Sequence, residues 1–362
     1  MKGKRLDYLD MARGIGIILV VVAHSQYCAE SVRTVITAYL MPLFFVVSGI
    51  VAFTIGEEKR SMRDILKRKA RGLLVPYVIF SAIYLAIYGG YYYGKMHVGT
   101  WDQIEGYLIQ TFGLGGMSVL WFLTALFFSE IAFLFLLKKC GKQKGIAVLV
   151  SVVLVAAATV IHPYFLTRFP QTTIPLRLLF ELLYTWLRSM LGVGFLMLGY
   201  CLAPLFERLD QVVTDTPRRV AMVVVCVLGL VLTGWLCLYN GHVDMRYMAF
   251  NRTWLYYLNT VLGSTFLLLF CKYGKNVRGL CYLGANSLII MLTHLDCLYM
   301  REAIEIGMFF ATRSPRAKVY CLYLGIALSL LVMELVTIYV VNHFVPFVIG
   351  KKYPKRKEKE KS

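Results

Sequence analysis

Charge is sparse in this chain. Only 16% of its 362 residues are Asp, Glu, Lys or Arg, and acidic residues are the scarcer kind, 20 against 39 basic ones. A soluble protein of this length needs a hydrated surface. A chain that is 59% hydrophobic, with a mean hydropathy of +0.65, has too little polar surface for one and is expected to lie in a membrane. The nine cysteines are scattered with no CxxC pair, mostly inside apolar runs, where Cys acts as a small hydrophobe. Metal or redox chemistry is therefore not expected of them. No internal repeat is visible, which weighs against transporter folds built from duplicated halves. No clear small-x-small cleavage site follows the basic start KGKR, so the first apolar run is expected to stay as a helix. The net charge of +19 does not point to nucleic acid, because the charges sit in short loops and at the C-terminus.

What is abundant is apolar runs long enough to span a bilayer. Ten are predicted, near 10–28, 34–55, 73–93, 117–137, 145–161, 180–204, 220–239, 252–271, 280–300 and 319–347. The fold class is thus all-α and polytopic. Placing the N-terminus inside puts 27 Lys and Arg in inner segments and 10 in outer ones. That asymmetry predicts an N-in, C-in topology. The domain reading is a transmembrane unit over 1–349 and a basic cytoplasmic tail over 350–362. The tail, KKYPKRKEKEKS, has the charge to touch anionic lipid headgroups.

Ionisable groups inside spans are costly and mark candidate sites. In the first span Arg13 and His24 are eleven residues apart, which returns to the same helix face about 16 Å further along. Asp10 precedes Arg13 by three residues and can pair with it. His24 is a candidate general base. Ser48 and Gly49, in MPLFFVVSG, allow close approach of a backbone or ligand. Arg68 and Arg71 form an Arg-x-x-Arg ahead of LLVPY, read either as a topology signal or as a phosphate site suited to coenzyme A. His294 is as far into its span as His24 is into the first, so the two imidazoles are expected at one depth facing one cavity. Arg188 and Glu181 read as a buried structural pair. Glu130 and Glu334 are intramembrane carboxylates without an assignment.

Asp-x-x-Arg-Gly, Arg–ten residues–His, MPLFF-x-x-SG and the Arg-x-x-Arg ahead of LLVPY occur in that order within 76 residues. Together they resemble the acyltransferase-3 family of membrane O-acyltransferases, most closely its fucose 4-O-acetylase-like branch. WFLTALFF from Trp121 and the late span SLIIMLTHLD are similar to further motifs of that family. The resemblance runs along nearly the whole chain. It implies a ten-helix core with a cytoplasmic N-terminus, an acyl-CoA donor, commonly acetyl-CoA, and a hydroxyl acceptor on a sugar or surface-glycan precursor. It implies functional roles for Arg13 and His24 and coenzyme A contacts for Arg68 and Arg71. The extracytoplasmic hydrolase-like domain of some relatives is expected to be absent, and no metal is expected.

The expected chemistry has Arg68 and Arg71 hold phosphates at the inner face, with Ser48 nearby and His294 flanking the centre. Arg13 stabilises charge or holds Asp10, and His24 deprotonates the acceptor. The expected location is a plasma membrane, of the bacterial cytoplasmic kind. The rival reading is a transporter or flippase of lipid-linked sugars, and a sensory membrane domain is a third. The outer segments 94–116, 162–179, 240–251 and 301–318 are expected to shape acceptor choice. Both termini and the 56–72 segment are predicted to be cytoplasmic. Cysteine labelling or reporter fusions placing the C-terminus outside would show the span count to be off by an odd number.

Overall fold

Apolar runs in a bilayer satisfy their backbone only as helices, and the chain folds accordingly. The computed structural model describes residues 6–25, 28–95, 100–295 and 318–351. The helices are α1 (Asp7–His24), α2 (Glu30–Thr37), α3 (Leu40–Ile55), α4 (Met62–Lys69), α5 (Val75–Lys95) and α6 (Thr100–Phe112). They continue with α7 (Trp121–Cys140), α8 (Lys144–Arg168), α9 (Ile174–Val212), α10 (Thr216–Asn240) and α11 (Thr253–Tyr273). Two short helices, α12 (Arg278–Ala285) and α13 (Ser287–Thr293), precede the long α14 (Lys318–His343). Among the described residues there is no strand, only an isolated bridge between Asp244 and Ala249.

Local chemistry sets several of the boundaries. Ser61 caps α4 by accepting the Asp64 N–H, and Asp215 caps α10 by accepting the Arg218 N–H. A left-handed Gly56 ends α3. A π-helical turn over Ala70–Leu74 joins α4 to α5.

Among the described residues, eight helical stretches are long and apolar enough to cross a membrane, from Glu30–Ile55 to Leu324–His343. The predicted spans 10–28 and 280–300 are not among them. The first corresponds to α1, whose 18 residues carry Asp7, Asp10 and Arg13. The second is broken, since α12 ends before Asn286 and α13 restarts after it. The segment 162–179 is also less open than predicted, because α8 runs on to Arg168 and α9 begins at Ile174. Segment 94–116 contains α6, with Trp101 and Phe112 largely exposed. Of the predicted outer segments, 301–317 lies outside the described residues, as does 352–362 of the tail.

The outward faces of α8 and α10 are apolar. Leu149, Val152 and Val160 on one, and Val224, Leu228 and Val231 on the other, are exposed as lipid-facing side chains would be. By contrast α1 sits inside, packed against α2, α3, α11, α12, α13 and α14. Its approach to α12 is close enough to require glycine on both helices. A Cβ on Gly284 would lie 1.7 Å from the Asp10 carbonyl oxygen, and one on Gly14 would lie 2.0 Å from that of Leu280. Gly49 makes the same kind of contact with α9, against the Leu196 carbonyl. The small residue of the MPLFFVVSG motif is thus used for helix packing.

Gly284→Ala is predicted to destabilise the protein by at least the ~1–3 kcal/mol of an overpacked core, because the obstacle is backbone. Gly279→Ala, near the start of α12 with nothing within 4 Å of the new methyl, is predicted to be neutral or slightly stabilising. Thermal unfolding of the two purified variants in the same detergent checks this contrast.

Candidate active site

The charged start of α1 faces a cavity. Asp7, Asp10 and Arg13 follow at three-residue spacing, so they share a face. Arg13 Nη1 lies 3.4 Å from Asp10 Oδ1, and Asp10 is buried. Across from them, α12 contributes Arg278, Tyr282 and, at its end, Asn286, while Val51, Thr54 and Ile55 close the side from α3. The cavity measures about 880 Å³. Lys351 also lines it, fixed by a chain of polar contacts. Its Nζ donates to Asn342 Oδ1 at 2.9 Å, and Asn342 Nδ2 donates to Asn286 Oδ1 at 2.8 Å. Three cations, Arg13, Arg278 and Lys351, thus meet two carboxylates.

His24 stands at the other end of the same helix. It is the last residue of α1, exposed, and lines a second cavity of about 550 Å³. The predicted position well inside the span is therefore corrected to a helix terminus. Arg33, Trp121, Asp244, Arg246 and Tyr247 share this cavity. Among the described residues none lines both cavities, so the face shared by Arg13 and His24 does not form one continuous opening there.

His294 caps α13 and lies beside His24, with ring centroids 5.2 Å apart and Nε2 3.4 Å from His24 Nδ1. His294 is buried. Its Nδ1 faces the carbonyls of Ile290 at 2.8 Å and Met291 at 3.1 Å, so that nitrogen is the donor. His24 Nδ1 faces the Val20 carbonyl at 2.9 Å and is likewise a donor. From this network both neutral rings are assigned the Nδ1–H tautomer. His294 Nε2 then accepts from His24 Nδ1–H, and the lone pair of His24 is on Nε2. Behind them Thr293 Oγ1 lies 2.7 Å from Glu334 Oε2, with Glu334 fully buried. Tyr84 holds the same turn by donating to the Leu292 carbonyl at 2.7 Å.

The remaining predicted residues are placed differently. Arg68 pairs with Glu57, a carboxylate only 1% exposed, and Lys69 bridges Glu57 and Glu130 at 3.4 and 2.7 Å. This cluster ties α4 to α7 and accounts for Glu130. Arg71 lies in the π-helical turn, where the wider i→i+5 coil takes it off the stripe of Arg68. Neither arginine lines the first cavity, although the Arg71 backbone carbonyl packs on Gly350, next to Lys351. Ser48 lines neither cavity.

Arg188 is 2% exposed and lies over the rings of Trp121 at 5.7 Å and Tyr184 at 4.7 Å. Its Nη1 contacts the Gly115 carbonyl at 3.4 Å. Among the described residues it has no ion pair, so the expected pairing with Glu181 is replaced by ring stacking and a backbone contact. Arg278, Lys351, Arg246, Thr293 and Tyr84 were not identified from the sequence. Each is ordinary in its local window and joins the site only through contacts far along the chain. Among the described residues no group of His, Cys, Asp or Glu is arranged to hold a metal ion.

With this geometry, comparison with known proteins gives one family. A family model for an acyltransferase domain, acyltransferase-3, matches residues 6–338. No curated protein and no solved structure gives a match. The match covers nearly all of α1–α14, including every lining residue of the two cavities except Lys351, and the chain belongs to the acyltransferase-3 family of acyltransferases.

Proposed function

We propose that the protein moves an acyl group, commonly acetyl, from cytoplasmic acyl-CoA to a hydroxyl of a sugar or surface-glycan precursor. The reading includes an N-in, C-in chain of ten spans, α1 and the broken α12–α13 pair being the two least apolar. It also includes a plasma-membrane location and the fucose 4-O-acetylase-like branch. The observation that carries it is the pairing of two cavities at the two ends of α1. One is cation-rich, and the other is lined by His24, whose ring contacts the buried His294 behind it.

In this reading the coenzyme A phosphates lie among Arg278 and Lys351, with Arg71 at the margin, where guanidinium and ammonium donors suit phosphate oxygens. Arg68 stays with Glu57. Arg13, held by Asp10, sits on the donor side of the path. The acyl arm then has to pass along α1 through the side chains that separate the two cavities to reach His24, about 16 Å further on at the helical rise. His24 Nε2 accepts the proton of the acceptor hydroxyl. The oxygen attacks the thioester carbonyl, the C–S bond breaks, and the proton passes from His24 to the departing thiolate. The Nδ1–H of His24, directed at Val20 O and His294 Nε2, keeps the ring in the tautomer that exposes the basic nitrogen and stabilises its transient charge.

The test is release of free thiol from acetyl-CoA by the purified protein in lipid nanodiscs supplied with sugar acceptors. Transport or flipping of lipid-linked sugars would proceed without it. His24→Ala is expected to lower the rate 10²–10⁴-fold with coenzyme A binding intact. Arg278→Ala and Lys351→Ala are expected to raise the KM for acetyl-CoA by tenfold or more, a lost charge-assisted contact of about 1.5–3 kcal/mol each. Activity of His24→Ala within threefold of the parent would remove this histidine from the mechanism.

A further inference from the structure

We infer that the acceptor is an acidic sugar whose carboxylate or phosphate is bound by Arg246 in the cavity that His24 lines. The inference rests on the acyl-transfer reading above and assigns its acceptor class.

The argument starts from the loop between α10 and α11, which supplies His242, Asp244, Arg246 and Tyr247 to that cavity. The loop is firmly built. Asn240 receives the Arg252 N–H on its Oδ1 at 3.1 Å and donates to the Phe250 carbonyl at 3.4 Å. Asn251 donates to the Asn240 carbonyl, and the Arg252 guanidinium to that of Tyr239 at 2.5 Å. A two-residue bridge between Asp244 and Ala249 closes the tip, with both N–H···O distances at 2.9 Å. Met248 and Asn251 adopt the left-handed conformation, at φ 48° and 50°. A loop held this way presents its side chains in fixed positions, as a specificity element requires.

The acidic groups at this cavity are already engaged. Asp244 Oδ1 accepts the Arg246 backbone N–H at 2.7 Å and so serves the turn. Glu30 faces Arg33 at 3.9 Å and His242 at 3.4 Å. Arg33 in turn donates from Nε to the Ala23 carbonyl at 3.1 Å, the residue before His24. The Arg246 guanidinium has no ion pair among the described residues, only the Tyr247 ring at 5.3 Å. Behind the cavity wall, across Trp121, Arg188 is buried; its Nη atoms donate to the Gly115 carbonyl and Thr185 Oγ1, but among the described residues it has no ion pair and its Nε has no hydrogen-bond partner. Among the described residues neither guanidinium is within ion-pair distance of a carboxylate, and the half-buried Glu181 carboxylate acts on both from further away. Arg188 is fully buried and Arg246 half-buried, and an anion supplied from outside would stabilise both. Tyr247 and Trp121 add the flat apolar faces on which a sugar ring packs.

The test measures binding, so that it does not depend on turnover. Full-length protein in nanodiscs is titrated with glucuronate, glucose 1-phosphate and glucose, and acetyl-CoA hydrolysis and transfer are followed in parallel. Expected is at least tenfold tighter binding of one or both charged probes than of glucose. A preference for glucuronate alone assigns a carboxylate, and one for glucose 1-phosphate alone assigns a phosphate. Arg246→Gln is expected to abolish the preference, and Arg246→Lys to keep part of it. Arg246 is half-buried on a loop, and an unchanged coenzyme A affinity and melting temperature show that the variant folds. Equal binding of charged and neutral probes, including none of either, overturns the inference, as does a preference that survives Arg246→Gln. A charge preference that depends on Arg246 but follows succinyl-CoA over acetyl-CoA would move the anion to the donor and also overturns it. Absence of thiol release with every acceptor, despite charge-selective binding, would instead count against the acyl-transfer reading.

Discussion

The structure depends on burying one helix that hydrocarbon would not accept. Asp7, Asp10 and Arg13 at one end of α1 and His24 at the other cannot face lipid without losing their hydration. The surrounding helices replace that hydration with protein and with two polar cavities. From this follow the encirclement of α1 by six helices, the glycines at its contact with α12, and the interruption of α12–α13 beside it. Backbone that leaves the helical path at membrane depth is tolerated where protein or a polar cavity surrounds it. Asn286, at the interruption, is bonded to Asn342 and lines a cavity.

The same constraint explains what was legible in the sequence. Continuous apolar runs have one stable outcome in a bilayer, so α3, α5, α7–α11 and α14 could be recognised; α5, α7, α10, α11 and α14 fall within about four residues of the prediction, whereas α8 runs on to Arg168 and α9 spans Ile174–Val212, well beyond the predicted ends. The helical repeat also located Asp10 and Arg13 together, because three residues make nearly one turn. Depth counting brought His24 to His294 across 270 residues, since both runs were counted from the same side. What failed was the assumption of uniform helix. The π turn at Ala70–Leu74 separates Arg68 from Arg71, and the break at Asn286 shortens the second imidazole's helix. The break at Asn286 has no proline to announce it, whereas Pro76, two residues after the π turn, lacks the N–H that a regular helix would direct at Gly72 within that turn.

Pairings between distant segments were the other gap. Glu57 follows the MPLFFVVSG helix closely and reads as a loop residue, yet it is almost fully buried and takes Arg68. Lys351 reads as the start of a solvated basic tail. Two asparagines, on α14 and at the α12–α13 break, bring it into the wall of a cavity. Arg246 is one of many basic residues in outer segments, and only the closed geometry of its loop sets it apart. A linear sequence records charge and period. It does not record which carboxylate has already been claimed.

The separation of the two cavities has an electrical consequence. Among the described residues none lines both, and Ile17, Val21, Leu43 and Leu292 of α1, α3 and α13 are almost completely buried. A membrane protein with polar cavities at both ends of one helix risks becoming a wire for protons or ions. Charge crossing the apolar interior of such a bundle would lose its solvation. In the proposed reaction, an imidazole at one end would therefore gain and lose its proton without discharging the membrane.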